Sequence, residues 1–279
     1  MPPRKPQLEL VTGEPPRDPP PELDTSKAHP ARIYDYWLGG KDHFPADRAA
    51  AEQAIRDFPG IVPAVRAQRA FLGKAVRYLA GEAGIRQFLD IGTGLPAADN
   101  THEVAQAVAP ESRVVYVDND PLVLAYARAL LASGPQGVTD YLDADLRDTG
   151  EILRRAEATL DVSRPVAVML IGILHLIPDE DEPRAVVRRL MAAMPPGSWL
   201  AVLHPASDVG SELGKMTVGY NKRSATPATL RTHAEVTRFF DGLDLLPPGL
   251  VHLGRWEPGI PAAAPGPEMP AWTGLAFKP

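Results

Sequence analysis

The stretch Arg86-Gln87-Phe88-Leu89-Asp90-Ile91-Gly92-Thr93-Gly94-Leu95-Pro96-Ala97 constrains the fold more than any other part of the chain. A short apolar run reaches an acid, turns through two glycines and passes into Asp99-Asn100-Thr101-His102-Glu103, a polar segment suited to opening a helix. The pattern predicts a strand, a glycine turn and a helix N-terminus. Glycine suits a backbone that must approach a ligand closely or adopt positive φ. The helix start that follows offers unpaired N–H groups to an anion. A plain strand-to-helix turn has the same outline, so the remaining strands decide between a ligand site and simple chain reversal.

Several further apolar runs follow, each closing on a polar residue. Arg113 to Asp118 is β-branched and ends in Asp118-Asn119-Asp120-Pro121; Val138 to Leu142 ends in Asp143-Ala144-Asp145. Val166 to Ile177 is apolar almost throughout and carries His175, as expected of a central strand buried on both faces. Gly197 to His204 is a fifth strand, and Leu250 to Trp256 with Ala271 to Phe277 should form an antiparallel edge hairpin. Helices are expected between them, over Asn100 to Val108, Pro121 to Leu130, Thr149 to Ala158, Pro183 to Met194 and Thr226 to Phe240. Alternation of this kind means an α/β layer with a mostly parallel sheet.

Ahead of the glycine strand the chain changes character twice. Residues 1–24 are crowded with proline and charge, lack apolar periodicity and are expected to be a disordered tail. Residues 25–84 read as a helical cap. Within them Ala31 to Phe44 gathers aromatic rings around a Gly39-Gly40 break, and it either packs Ile33, Tyr36 and Trp37 on the core or closes over a pocket with Tyr34 and Arg32 at its wet edge. Helices are expected over Ala46 to Phe58 and Pro63 to Leu79, with Arg66, Arg69, Lys74 and Arg77 on a solvated face. Residues 85–279 form the nucleotide-binding unit.

Composition narrows the ligand. With 29 Lys plus Arg against 35 Asp plus Glu, the net charge of −6 argues against nucleic acid or an anionic membrane as the main partner and favours a small molecule. The absence of cysteine excludes disulfides, thiolate nucleophiles and Cys-ligated metals. The seven histidines have no metal-ligand spacing, so no metal is expected. There is no 18-residue apolar run and no signal-peptide pattern, so the expected location is cytoplasmic. A homodimer is left open.

In a doubly wound sheet, ligands bind beyond the carboxyl ends of the strands. Asp118, a little over 20 residues beyond the glycines, is placed for a ribose diol, with Asn119 beside it and Asp120 free to cap the next helix. Asp90 sits where a pyrophosphate would reject it, but a ligand bearing an ammonium and a sulfonium would gain from it. That favours S-adenosylmethionine (SAM) over NAD. The turn residues Gly92, Thr93 and Gly94, with Asn100, would meet the carboxylate of the ligand, His102 would serve either that carboxylate or the helix start, and Asp145 would meet the adenine amino group, with Leu146 or Leu122 on the ring face.

The order of these motifs resembles class I SAM-dependent methyltransferases. The strings Ala31-Arg32-Ile33-Tyr34-Asp35-Tyr36, Leu38-Gly39-Gly40-Lys41-Asp42, Gln87 to Pro96, Val115 to Pro121 and Ala144-Asp145-Leu146-Arg147 are similar to an actinobacterial S-adenosyl methyltransferase family, formerly a domain of unknown function. Ala98 and Thr101 depart from the family pattern, where a Thr and a Val are expected. The resemblance implies a Rossmann-like fold with a seven-stranded sheet and bound SAM, with S-adenosylhomocysteine (SAH) as product, but brings no acceptor. Methyl transfer to O–H or N–H needs alignment and proton removal. The candidate bases are His175, His204 and Tyr34, with Arg32, Asn100 and His102 as positioning groups. The expected function is methyl transfer to a small-molecule O or N acceptor. The alternatives are a SAM/SAH-binding sensor or assembly protein without turnover, and an NAD-dependent oxidoreductase.

Overall fold

The computed structural model describes residues 24–130, 133–222, 224, 226–260, 266 and 269–279, with side chains omitted at 127–130. The expected disordered tail lies outside the described residues, apart from Asp24. Three helices precede the first strand: α1 (Pro30–Leu38), α2 (Pro45–Asp57) and α3 (Ile61–Gly81). Proline enters the first turn of each, where a missing N–H is harmless. Gly39 ends α1 with φ +85°.

Strands and helices then alternate: β1 (Gln87–Ile91), α4 (Thr101–Val108), β2 (Arg113–Asp118), α5 (Pro121–Leu130), β3 (Val138–Asp143), α6 (Thr149–Ala156), β4 (Ala167–Ile171), α7 (Pro183–Ala193) and β5 (Trp199–Pro205). The chain ends with α8 (Glu212–Asn221), α9 (His233–Thr237), β6 (Asp244–Leu245), β7 (Val251–His252) and β8 (Ala271–Phe277). The sheet order is β3-β2-β1-β4-β5-β8-β6, with β7 also paired to β8. The first five strands are parallel and β8 runs antiparallel to β5. Strand order reverses between β1 and β4, which opens a crevice above their carboxyl ends.

Period-two alternation divides the core between the two faces. Leu89, Val115, Val117, Val168 and Leu170 pack with α6 and α7. Phe88, Val114, Tyr116 and Met169 pack with the apolar side of α3 and with α4. Both clusters lie at nearly zero exposure, so the hydrophobic drive is spread over both surfaces of the sheet.

The described sheet has eight strands where seven were expected, because two very short strands pair with β8. β8 therefore lies inside the sheet and is not an edge, and the segment expected as a strand over 250–256 pairs only at Val251 and His252 before a 3-10 turn at Leu253–Arg255. The apolar run 166–177 is also divided. β4 stops at Ile171, Gly172 turns with φ +77°, and Leu174–Leu176 forms a 3-10 turn. The helix expected over 226–240 shrinks to α9 and a 3-10 turn at Arg238–Phe240, capped by Thr232 and Glu235. Helix α8 had no sequence expectation. Among the described residues, no helix is long and apolar enough to cross a membrane.

Candidate active site

A cavity of about 300 Å³ opens above the reversal point, at the lower end of the size range of small-molecule sites. Its lining includes Asp90, Gly92, Thr93, Gly94 and Asn100, and the ends of β2 and β3 through Asp118, Asn119, Asp145 and Leu146. His175 and Tyr34 also line it. Leu122 does not appear in the lining, which leaves Leu146 as the apolar side chain at the β3 end.

The glycine turn is shaped by close packing. Gly92 has φ +76°, and a Cβ there would lie 2.5 Å from Ile173 Cγ1, so any larger residue would push the β1 and β4 ends apart. Gly94, at φ +64°, donates its N–H to Asp118 Oδ2 at 2.9 Å. Asp118 Oδ1 accepts from the Asp120 N–H at 3.0 Å, and Asp120 in turn accepts from the Leu122 N–H at 2.9 Å and caps α5. The acid at the end of β2 is thus oriented by two backbone donors. Asn119 Nδ2 donates to Asp145 Oδ2 at 3.2 Å, which links the β2 and β3 ends. Arg147 pairs with both Asp145 and Asp181 and holds the Asp145 carboxyl below the usual range.

Asp90 is 5% exposed, and burial pushes its carboxyl up to about 6. Thr101 Oγ1 donates to it at 2.6 Å and opposes that shift. Thr101 thus places a hydroxyl on the acid at the end of the first strand. Asp118 is raised in the same direction, again by burial.

The structure places three of the expected residues away from the cavity wall. His204 lies on the face of β5 shared with Leu200 and Val202, fully buried beside Phe239. Its Nδ1 is 2.9 Å from the Pro205 carbonyl and its Nε2 2.8 Å from Arg231 Nη1, so neither nitrogen is free to act as a base. His102 sits beneath the turn, not in the lining; its N–H donates to Tyr116 Oη at 2.8 Å, and its Nδ1 is 2.9 Å from the same oxygen. Arg32 is also outside the lining. It is buried near Asp47 and Asp120 and donates to the Asp24 carbonyl.

Other residues take part unforeseen. Arg69, expected on a solvated face, lines the cavity and donates to the carbonyls of Ala98 at 2.6 Å and Asp99 at 3.0 Å, where Asp99 has φ +60°. Its Nε is buried without a partner. Tyr141 Oη and His175 Nδ1 are likewise buried and unpaired, and both residues line the cavity. His29 also lines it and reaches Asp120 Oδ2 at 2.8 Å, tying the start of α1 to the start of α5. The α1 segment divides between the sequence alternatives: Ile33 packs in the core and Tyr34 lines the cavity, while Arg32 does not reach its edge and Trp37, expected on the core, lines it as well.

The His175 turn is fixed from behind by Arg231. That buried guanidinium donates to the carbonyls of Leu174 at 2.9 Å and Ile177 at 2.8 Å, and to Asp179 Oδ1 at 2.7 Å. The Thr229 N–H donates to the His175 carbonyl at 2.7 Å. Burial, reinforced by the Arg231 charge, pushes the His175 imidazole down to about 4. It is neutral near pH 7.

The family model described as S-adenosyl methyltransferase matches residues 16–279. The chain belongs to that family. Its members' shared cofactor, SAM, is the cofactor of this chain, which is a SAM-dependent methyltransferase. The structure of a DUF574 family protein from Streptomyces avermitilis is 46% identical, with a TM-score of 0.86, covering 92% of this chain and 99% of that one. A putative methyltransferase from Thermobifida fusca is 41% identical, with a TM-score of 0.84 and coverage of 93% and 98%. The mitomycin 7-O-methyltransferase MmcR, 17% identical with a TM-score of 0.50 and coverage of 90% and 73%, shares the fold. No curated protein matches the chain. The S-adenosyl methyltransferase reading and the position of the cavity at the strand-order reversal agree with the sheet topology expected of class I enzymes.

Proposed function

We propose that this methyltransferase acts on a small-molecule acceptor and that the cavity at the strand ends holds both cofactor and acceptor. The observation that carries this reading is a convergence. Three strand-end acids, a positive-φ glycine turn and three residues with unpaired buried polar atoms surround one cavity. Buried polar groups are nearly always satisfied, so such a cluster points to a ligand.

The residues present fit SAM. Asp90 suits its cationic methionine end, while Arg69 Nε suits its carboxylate. Asp118 and Asn119 suit the ribose hydroxyls, and Asp145 with Leu146 the adenine. When bound, SAM supplies a methyl group already activated on a sulfonium. The protein's own task is to orient the acceptor, exclude water and receive a proton. His175 is the residue for the last role, its turn held by Arg231 and Thr229; Tyr34, its phenol kept protonated by burial, borders the same space.

Calorimetric titration with SAM, SAH and NADH tests the assignment. SAM and SAH are expected to bind and NADH is not. Asp118→Ala removes both the diol acceptor and the brace on Gly94, and is expected to weaken SAM and SAH by about 100-fold, roughly 3 kcal/mol. Unchanged affinity would refute the ribose placement.

A further inference from the structure

The cavity has two ends of opposite character. Sheet order places the ends of β2 and β3 on one side of β1, and those of β4 and β5 on the other. The acids lie toward the first side. The second is enclosed by α1, the first turns of α3, the turn after β4, helix α8 and residues 226–230. Ile61, Val65, Leu213 and Met216 belong to a single apolar cluster there, with Tyr34, Trp37 and Tyr220 packed against it.

Among the described residues, no Asp, Glu or Lys lines that end, and Arg69 at its border donates to the Ala98 and Asp99 carbonyls, its Nε being assigned above to the cofactor carboxylate. Three of the other polar side chains there donate to backbone carbonyls. Gln68 donates to the Ile171 carbonyl, Thr217 to the Leu213 carbonyl and the Trp37 indole to the Ala51 carbonyl. An acceptor that brings a carboxylate or an ammonium would lose its hydration and find no counter-charge. Aromatic walls with an adaptable methionine suit a flat apolar body. The His175 imidazole also lines the cavity, and its Nδ1 is buried without a partner.

We propose that the methyl acceptor is a neutral, flat, largely apolar molecule with a phenol-type hydroxyl, lying between α1, α3 and α8 with that hydroxyl against His175. The proposal rests on the reading of the cavity as the methyl-transfer site and narrows its acceptor atom to oxygen. A lone pair on the hydroxyl oxygen forms the new bond to the methyl carbon. The electron pair of the broken S–CH₃ bond stays on sulfur as a thioether. The hydroxyl proton passes to the unprotonated nitrogen of His175 and then to water. A weak base suffices, because the hydroxyl becomes strongly acidic as its oxygen is methylated. The same base is too weak to strip an ammonium, which has no free lone pair for attack.

The test uses the full chain in three steps. SAH affinity is measured first by calorimetry. The SAH-loaded protein is then titrated with a naphthol, a naphthoate and a naphthylmethylammonium near neutral pH. Finally, labelled methyl transfer from SAM to each compound is followed. The naphthol is expected to bind at least about tenfold more tightly than either ion and to be the compound labelled. Met216→Trp is expected to weaken naphthol by about tenfold or more and to leave SAH within about twofold, which also shows that the variant is folded. His175→Ala is expected to lower label transfer by about 30-fold or more with SAH affinity likewise retained. Equal or tighter binding of either ion, unchanged naphthol affinity in Met216→Trp, or SAH binding without naphthol binding overturns this proposal alone. Failure of SAH to bind overturns the cofactor placement as well.

Discussion

The two ends of the cavity are built in different ways. At the β1–β3 end each functional group lies within a few residues of a strand terminus: Asp90, Gly92, Gly94, Asp118, Asn119 and Asp145. Parallel register alone brings them together, with Ile91 opposite Val117 and Asp118 opposite Asp143. At the other end, Tyr34, Val65, His175, Met216 and Leu230 come from segments far apart in sequence and meet through side-chain packing. The first end is made by backbone order and the second by burial. Damage should follow the same division, because a change in one end leaves the scaffold of the other in place.

Arg231→Ala should show the largest separation. It leaves the carbonyls of Leu174 and Ile177 and the ring of His204 without their buried donor, a loss of roughly 3 kcal/mol in stability. Thermal unfolding should shift down by about 6–10 °C. Methyl transfer should fall far more than SAH affinity, because the His175 turn loses its support while the acids keep theirs. Loss of SAH binding in step with transfer would mean that the two ends are not separable.

Gly92→Ala strikes the wall the ends share. Positive φ and the contact with Ile173 together should cost about 2–3 kcal/mol, and SAM affinity and transfer should fall together. Calorimetry and label transfer on one preparation would show it.

Asp90→Asn acts on charge alone and should weaken SAM by about tenfold at neutral pH, or roughly 1.4 kcal/mol. In the wild type, SAM affinity should decline as pH drops through about 6, since a cationic ligand needs the ionised carboxylate. The variant should show a flatter profile. The stability effect has the opposite sense. The folded carboxyl titrates above its unfolded value, so protonation favours the folded state below that unfolded value, and the advantage is lost as pH rises through about 6. Thr101→Val should have the smallest effect. Removing the hydroxyl raises Asp90 further and moves the midpoint of the affinity profile to higher pH, with less than about a threefold change at pH 7.5.

Legibility divides along the same line. The strand-end acids and glycine turn could be read because their chemistry is local: an acid closing an apolar run points to the strand end wherever the strand lies. The α/β alternation and the parallel sheet were legible for the same reason. The misreadings involve contacts that sequence periodicity does not encode. His204 also closes an apolar run, but alternation along β5 turns it to the face occupied by Phe239, and Arg231, distant in sequence, takes its ring nitrogen. Arg69 fell on the polar side of a helical wheel, yet that side of α3 meets the Ala98–Asp99 turn. Helix α8 escaped notice because Glu212 to Asn221 has weak amphipathic character, and its Leu213 and Met216 gain their meaning only against α2 and α3.

Helices α1 and α8 and the 226–230 segment contribute no strand to the sheet. They can therefore vary in side-chain shape without disturbing the register that aligns Asp90 and Asp118. Such an architecture lets a lineage retain its methyl donor while exchanging the molecules it modifies. Two homologues with the same strand-end acids need not share a substrate, and on the acceptor placement proposed above specificity would follow from the particular side chains on the detachable walls: here Tyr34, Met216 and Leu230.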